Sequence, residues 1–123
     1  MLIDTSVWID HFARGVTGMD QAIASETIVM HEDVLGELAL GNFAHRARVL
    51  SLLRALPLIP RVSHEEILEL VERHELWGKG LGVVDAHILG ACLVAHETLW
   101  TRDRTLSAAA SAVGVRLHAG GAS

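Results

Sequence analysis

The stretch Met1-Leu2-Ile3-Asp4-Thr5-Ser6-Val7-Trp8-Ile9 decides the fold. Its first three residues read as a short buried strand, and a helix follows from about Ser6 to Arg14, ending towards Gly15. A carboxylate, Asp4, stands at the joint. The same alternation continues along the chain. Met19–Ser25 reads as a short helix and Thr27–Met30 as a strand, leading to a helix over Glu32–Leu40 that stops at Gly41. Phe43–Leu56 reads as a helix with Ala44, Ala47, Leu50 and Leu53 on its apolar stripe, closed by Pro57. Leu58-Ile59 is a strand remnant between two prolines.

Ser63 caps a helix running through Glu75. Ser63 and Glu66 have capping-box spacing, so Glu66 is expected to reach back to the Ser63 amide. The loop Trp77–Gly82 precedes a helix over Val83–His96. Strand Thr98–Trp100, helix Arg104–Ala112 and strand Val115–Leu117 complete the pattern. Strands alternating with helices predict an α/β fold: a single domain over residues 1–118, with a mostly parallel central sheet flanked by helices. Residues 119–123 read as a flexible C-terminal tail. In such sheets, sites form at the carboxyl ends of the strands.

Composition narrows the possibilities. The 123 residues are 50% hydrophobic with only 4% aromatics, and the mean hydropathy is +0.35. A disordered chain is excluded, and apolar surface is left over for a partner. The longest apolar stretch, Ile88–Ala95, is far short of the roughly 20 residues a bilayer crossing needs. Asp4 falls where the apolar core of a signal peptide would begin, so the expected location is cytoplasmic. The lone Cys92 is expected to be a buried, reduced thiol. A net charge of −5 argues against a broad basic face for nucleic acid.

Four acids stand out. Asp4 and Asp103 follow strands and could be N-caps of the helices after them. Glu37 shares a stripe with Val34, Leu38 and Gly41, and Asp85 one with Ile88, Leu89 and Cys92, so both are expected to face inward. An ionised carboxylate there is costly unless it is paired, with Arg48 or Arg61 for example, or bound to a metal. Converging carboxylates repel unless a cation balances them, and Mg²⁺ or Mn²⁺ suits oxygen ligands.

Four segments in this order carry a resemblance: Met1–Ile9, Val34-Leu35-Gly36-Glu37-Leu38, Val84-Asp85-Ala86-His87-Ile88-Leu89-Gly90-Ala91, and Leu99-Trp100-Thr101-Arg102-Asp103. Together they resemble the PIN-domain ribonucleases, and within them the VapC toxins of bacterial toxin–antitoxin modules. The likeness runs from Met1 to about Leu117. It implies that Asp4, Glu37, Asp85 and Asp103 form an acidic quartet, with Asp4, Asp85 and Asp103 holding Mg²⁺ or Mn²⁺. Ser6 and Thr101 match supporting hydroxyl positions. It further implies an endoribonuclease that inhibits growth, forms homodimers and is silenced by a cognate antitoxin. Leu106 stands where the family often has an aromatic, and Arg104-Thr105 where it often has a further acid. A catalytically silent PIN-like module that acts by binding antitoxin or RNA is the alternative.

Setting the four acids aside leaves a net charge of −1, so a metal-filled cleft could bind RNA through a few cations. Arg14, Arg46, Arg48, Lys79, Arg102 and Arg104 are the candidates. The eight histidines contain no HExxH zinc motif. His87 reads as a helix-surface residue. Gly78, Gly80 and Gly82 match neither a P-loop nor a dinucleotide fingerprint and read as a hinge. Trp8, Trp77 and Trp100 could stack on bases, but Trp100 is expected in the core and Trp8 in core or dimer contacts.

Overall fold

The computed structural model describes residues 1–119. Most of the flexible tail expected over 119–123 therefore lies outside the described residues. Two central strands, β1 (Leu2–Ile3) and β2 (Leu99–Trp100), pair in parallel with Leu2 opposite Leu99 and Ile3 opposite Trp100. All four are fully buried, as a parallel sheet covered on both faces requires.

Single parallel bridges extend this pair on both sides: Val29 to Leu2, Leu58 to Met30, and Leu117 to Leu99. Across the sheet the segments lie in the chain order third, second, first, fourth, fifth. The order reverses between β1 and β2, which is where open α/β sheets place their sites.

The flanking strands are shorter than expected, and the prolines supply one reason. Pro57 and Pro60 cannot donate to a ladder, so the third segment is fastened only by Met30 N to Pro57 O and Ile59 N to Met30 O, both 2.8 Å. On the far side Leu99 N donates to Arg116 O at 2.9 Å and His118 N to Leu99 O at 2.8 Å.

The helices are α1 (Thr5–Arg14), α2 (Met19–Ser25), α3 (Glu32–Ala39), α4 (Arg46–Arg54), α5 (His64–Arg73), α6 (Val83–Ala95) and α7 (Arg104–Val113). Helix α4 begins three residues later than the apolar pattern indicated. Phe43 leaves the helical path to stack on Phe12, with ring centroids 4.7 Å apart, and His45 takes a left-handed turn at the helix entrance. Ala44 and Ala47 are consequently exposed, while Leu53 is buried.

Ser63 caps α5 as expected, its Oγ accepting from Glu66 N at 3.2 Å. The Glu66 carboxylate accepts from the Ser63 hydroxyl at 3.1 Å rather than from the Ser63 amide. Helix α6 runs through the interior with Ala86–Cys92 all buried, which its nearly uniform apolar sequence requires. It packs against α5 so closely that Gly90 leaves no room for a side chain beside Ile67. Cys92 is buried there as a free thiol, and burial pushes its pKa up to about 12. No helix among the described residues is long and apolar enough to cross a membrane.

Candidate active site

Asp4 leaves β1 at the carboxyl edge of the sheet and is buried. It occupies the position before α1, yet its side chain makes no capping bond. Instead its Oδ2 accepts two hydroxyl hydrogen bonds of 2.8 Å, from Ser6 and from Thr101. A carboxylate taken out of water needs such donors, and here they serve one oxygen only. The N-cap reading of Asp4 is thereby eliminated.

The segment after β2 is fastened to the same place. Arg102 N donates to Ser6 Oγ and Asp103 N to Thr101 Oγ1, both at 3.1 Å. The Arg102 guanidinium donates to Asp10 Oδ2 at 3.0 Å, and Arg14 holds the other Asp10 oxygen at 3.1 Å. Those two cations hold the Asp10 carboxyl below the usual range. Asp103 does cap its helix: Oδ1 accepts from Thr105 N at 2.9 Å and Leu106 N at 3.3 Å. Neither bond uses Oδ2, and Asp103 is exposed.

Glu37 corrects an expectation. It is exposed rather than inward-facing, because α3 buries Val34 and Leu38 and leaves Glu37 at the margin of that stripe. Its Oε1 accepts from Thr5 Oγ1 at 2.7 Å. Thr5 therefore joins the constellation. The available signal was a hydroxyl directly after Asp4 in the first helical turn.

Asp85 is half-buried in the first turn of α6 and accepts from Gly82 N at 3.2 Å. Burial raises its pKa above the ordinary value, and the charges of Asp4, Asp103 and Glu37 act in the same direction. The other three acids are thus near enough to be felt at Asp85. Among the described residues no arginine pairs with Glu37 or Asp85: Arg61 is engaged with Glu32 at 2.7 Å and Asp33 at 2.9 Å.

His87 is a second correction. It is buried, not on the surface, with Nε2 3.2 Å from His64 Nδ1. The reason is that α6 has no solvent face over Ala86–Cys92. Trp100 and Trp8 are buried as core residues, whereas Trp77 is 55% exposed.

Among the six candidate cations, Arg14 and Arg102 are committed to Asp10. Arg46 is committed to the carbonyls of Gly41 and Ala39. Arg48 is exposed on α4. Lys79 and Arg104 line one cavity beside α7.

Among the described residues no three Asp, Glu, His or Cys side chains are gathered tightly enough to hold an ion by themselves. Mutual repulsion keeps unbalanced carboxylates apart. Mg²⁺ keeps several waters and takes only one or two carboxylates directly. The all-oxygen donors, with no basic side chain paired to Glu37 or Asp85, therefore suit a hard divalent cation.

Comparison with known proteins agrees with this architecture. The PIN domain model matches residues 1–112. Ribonuclease VapC32 of Mycobacterium tuberculosis, from strain CDC 1551 / Oshkosh and from strain ATCC 25618 / H37Rv, is 45% identical over 118 residues, covering 95% of each chain. With a family match over residues 1–112 and a relative 45% identical over 95% of the chain, the chain belongs to the PIN-domain family, alongside its VapC ribonucleases.

Proposed function

We propose that this protein is a metal-dependent endoribonuclease, the toxin of a toxin–antitoxin pair, hydrolysing RNA phosphodiester bonds through Asp4, Glu37, Asp85 and Asp103. The observation that carries this reading is the Asp85 carboxyl. Burial raises it, the charges of Asp4, Asp103 and Glu37 add to the effect, and among the described residues the Gly82 amide rather than an arginine relieves it. A folded protein keeps such an arrangement where an external cation completes it.

Asp4, Asp85 and Asp103 would hold Mg²⁺ (or Mn²⁺), which when bound supplies an activated water and offsets charge on the phosphodiester. The remaining chemistry belongs to the chain. Ser6 and Thr101 fix one oxygen of Asp4, which directs the other towards the cleft. Asp103 is oriented by its own capping bonds. Glu37, steadied by Thr5, would position the metal or the attacking water.

Exposed Ile9, Ile23, Leu40 and Leu52 support a protein partner. So do two apolar cavities meeting at Phe12, of about 300 and 450 Å³. Glu37 stands on the wall of the smaller one. A cognate antitoxin and a second copy of the chain are the partners proposed, and the cytoplasm is the proposed location.

The test is RNA cleavage by purified, antitoxin-free protein with Mg²⁺ or Mn²⁺ and with chelator, beside Asp4→Asn. Metal-dependent cuts that vanish in the variant support the nuclease. Full cleavage by Asp4→Asn would remove Asp4 from the site. No cleavage of any RNA class, by protein that still binds metal, would favour a binding module.

A further inference from the structure

The loop Trp77–Gly82 lies against the first turn of α7, and the cavity between them has a volume of about 350 Å³. A side chain at Gly80 would meet Thr105 Cγ2 at 3.8 Å, which fixes the closeness of the two elements. Leu76, Leu81 and Ala109 give the cavity an apolar floor, and Lys79 and Arg104 stand at its polar side. Both cations are exposed, and neither has an ion-pair partner among the described residues.

Their place in the chain matters. Arg104 directly follows Asp103, and Lys79 lies three residues before Gly82, whose amide holds Asp85. The cavity therefore flanks the acids on the Asp85–Asp103 side. Arg104 also occupies the first position of α7, where a cation opposes the helix dipole and only the capping Asp103 stands beside it as an acid. Local helix stability does not explain that choice.

We propose that this cavity is a nucleotide subsite. Lys79 and Arg104 hold a backbone phosphate adjoining the one that is cut, while the exposed Trp77 offers a stacking face to the neighbouring base. The proposal rests on the endoribonuclease reading and extends it to how the single strand is held. Two unpaired cations beside an apolar floor, with an exposed indole in the same loop though not in the cavity's lining, are the elements by which proteins grip single-stranded RNA. An acidic protein segment could use the cations but has no use for the indole, so the combination favours RNA.

The indole also supplies the measurement. Trp8 and Trp100 are buried, so a fluorescence change on RNA binding reports Trp77. Asp4→Asn protein, in which hydrolysis is switched off, is titrated with a short single-stranded RNA of mixed sequence, with Mg²⁺ present. Emission is expected to be quenched, and the quench to disappear in a Trp77→Phe background. Adding Lys79→Ala and Arg104→Ala should weaken binding on the order of tenfold, and should lower the slope of log affinity against log salt by about 0.7 per lost phosphate contact. Lys79→Arg should retain affinity, and Arg73→Ala on α5 should change neither quantity. Thermal melting of each variant checks the fold.

Unchanged affinity and salt slope in the double variant would overturn the proposal, as would an unquenched Trp77. RNA binding that survives the double variant while an acidic peptide is lost would assign the cavity to a protein partner instead. Because binding is read without turnover, wild-type protein that cuts no RNA would sink the nuclease reading and leave the subsite to be decided by the titration.

Discussion

Thr101 donates to Asp4 across 97 residues of chain, with a 2.8 Å bond between two buried side chains. The same Thr101 Oγ1 accepts from Asp103 N at 3.1 Å. One hydroxyl thus ties the end of β1 to the turn that presents the last aspartate. Thr101→Val keeps the shape and removes both bonds. The expected cost is about 1–3 kcal/mol of stability, since it takes one of two donors from a buried carboxylate oxygen and the acceptor from the Asp103 amide. Cleavage should fall on the order of tenfold, because Asp4 and Asp103 lose their shared reference point. Thr101→Ser should recover most of both, as read by thermal melting and steady-state cleavage.

Asp85 makes a prediction about pH. Its folded pKa is raised above the ordinary 3.8, so between those values the folded chain binds more protons than the unfolded one. Stability then falls as pH rises through that window, and the ionised carboxylate is a liability at neutral pH. Metal-free Asp85→Asn should melt above wild type at neutral pH, with the gap closing as pH approaches 3.8. Adding Mg²⁺ should raise the melting temperature of wild type and leave the variant nearly unmoved. A variant that melts at or below wild type throughout would contradict this.

His31 predicts the opposite slope. It is buried, and its Nδ1 accepts from Asp33 N at 3.0 Å at the start of α3. Burial lowers its pKa below 6.5, with Arg61 and His87 adding to the effect against Asp33 and Glu32. The stability tied to neutral His31 is fully present above 6.5 and is lost as pH falls through the lowered folded value. Melting temperatures should decline from about pH 6.5 downward. His31→Asn, which can still cap α3, should flatten that decline.

Helix packing gives a mutational test independent of activity. A methyl at Gly90 would collide with the tip of Ile67. Overpacking costs about 1–3 kcal/mol, against a helix-propensity gain of about 1 kcal/mol for Gly→Ala. Gly90→Ala should therefore be destabilising in urea titrations by about 1 kcal/mol on balance, and adding Ile67→Val should restore most of the loss.

Much of this architecture was legible in the chain because its signals are local. The Asp4 joint, the Ser63 cap and the apolar run of α6 each declare themselves within a few residues. Two aspects were not. Glu37 reads as inward because Val34 and Leu38 share its helix stripe, but only the packing of α3 shows that the stripe ends before it. His87 reads as a surface residue because it neighbours a charged site, whereas tertiary burial of α6 pairs it with His64, 23 residues away. The flanking strands were legible, but their reduction to single bridges was not, since that depends on partners far off in sequence. For the acids themselves, sequence spacing supplies the candidates. The proximity of Asp4, Glu37 and Asp103 to Asp85 is a property of the fold.

The reversal of strand order between β1 and β2 has a bearing on the life of the chain during synthesis. Asp4 leaves the ribosome 97 residues ahead of its Thr101 partner. Until Leu99–Trp100 emerges and docks beside Leu2–Ile3, the buried carboxylate lacks one of its two hydroxyl donors and Asp103 has no turn to hold it. Domains fold as units when their closing segment becomes available. A chain that stops short of β2 therefore cannot present the full acidic constellation, whose assembly waits for Leu99–Asp103 to emerge.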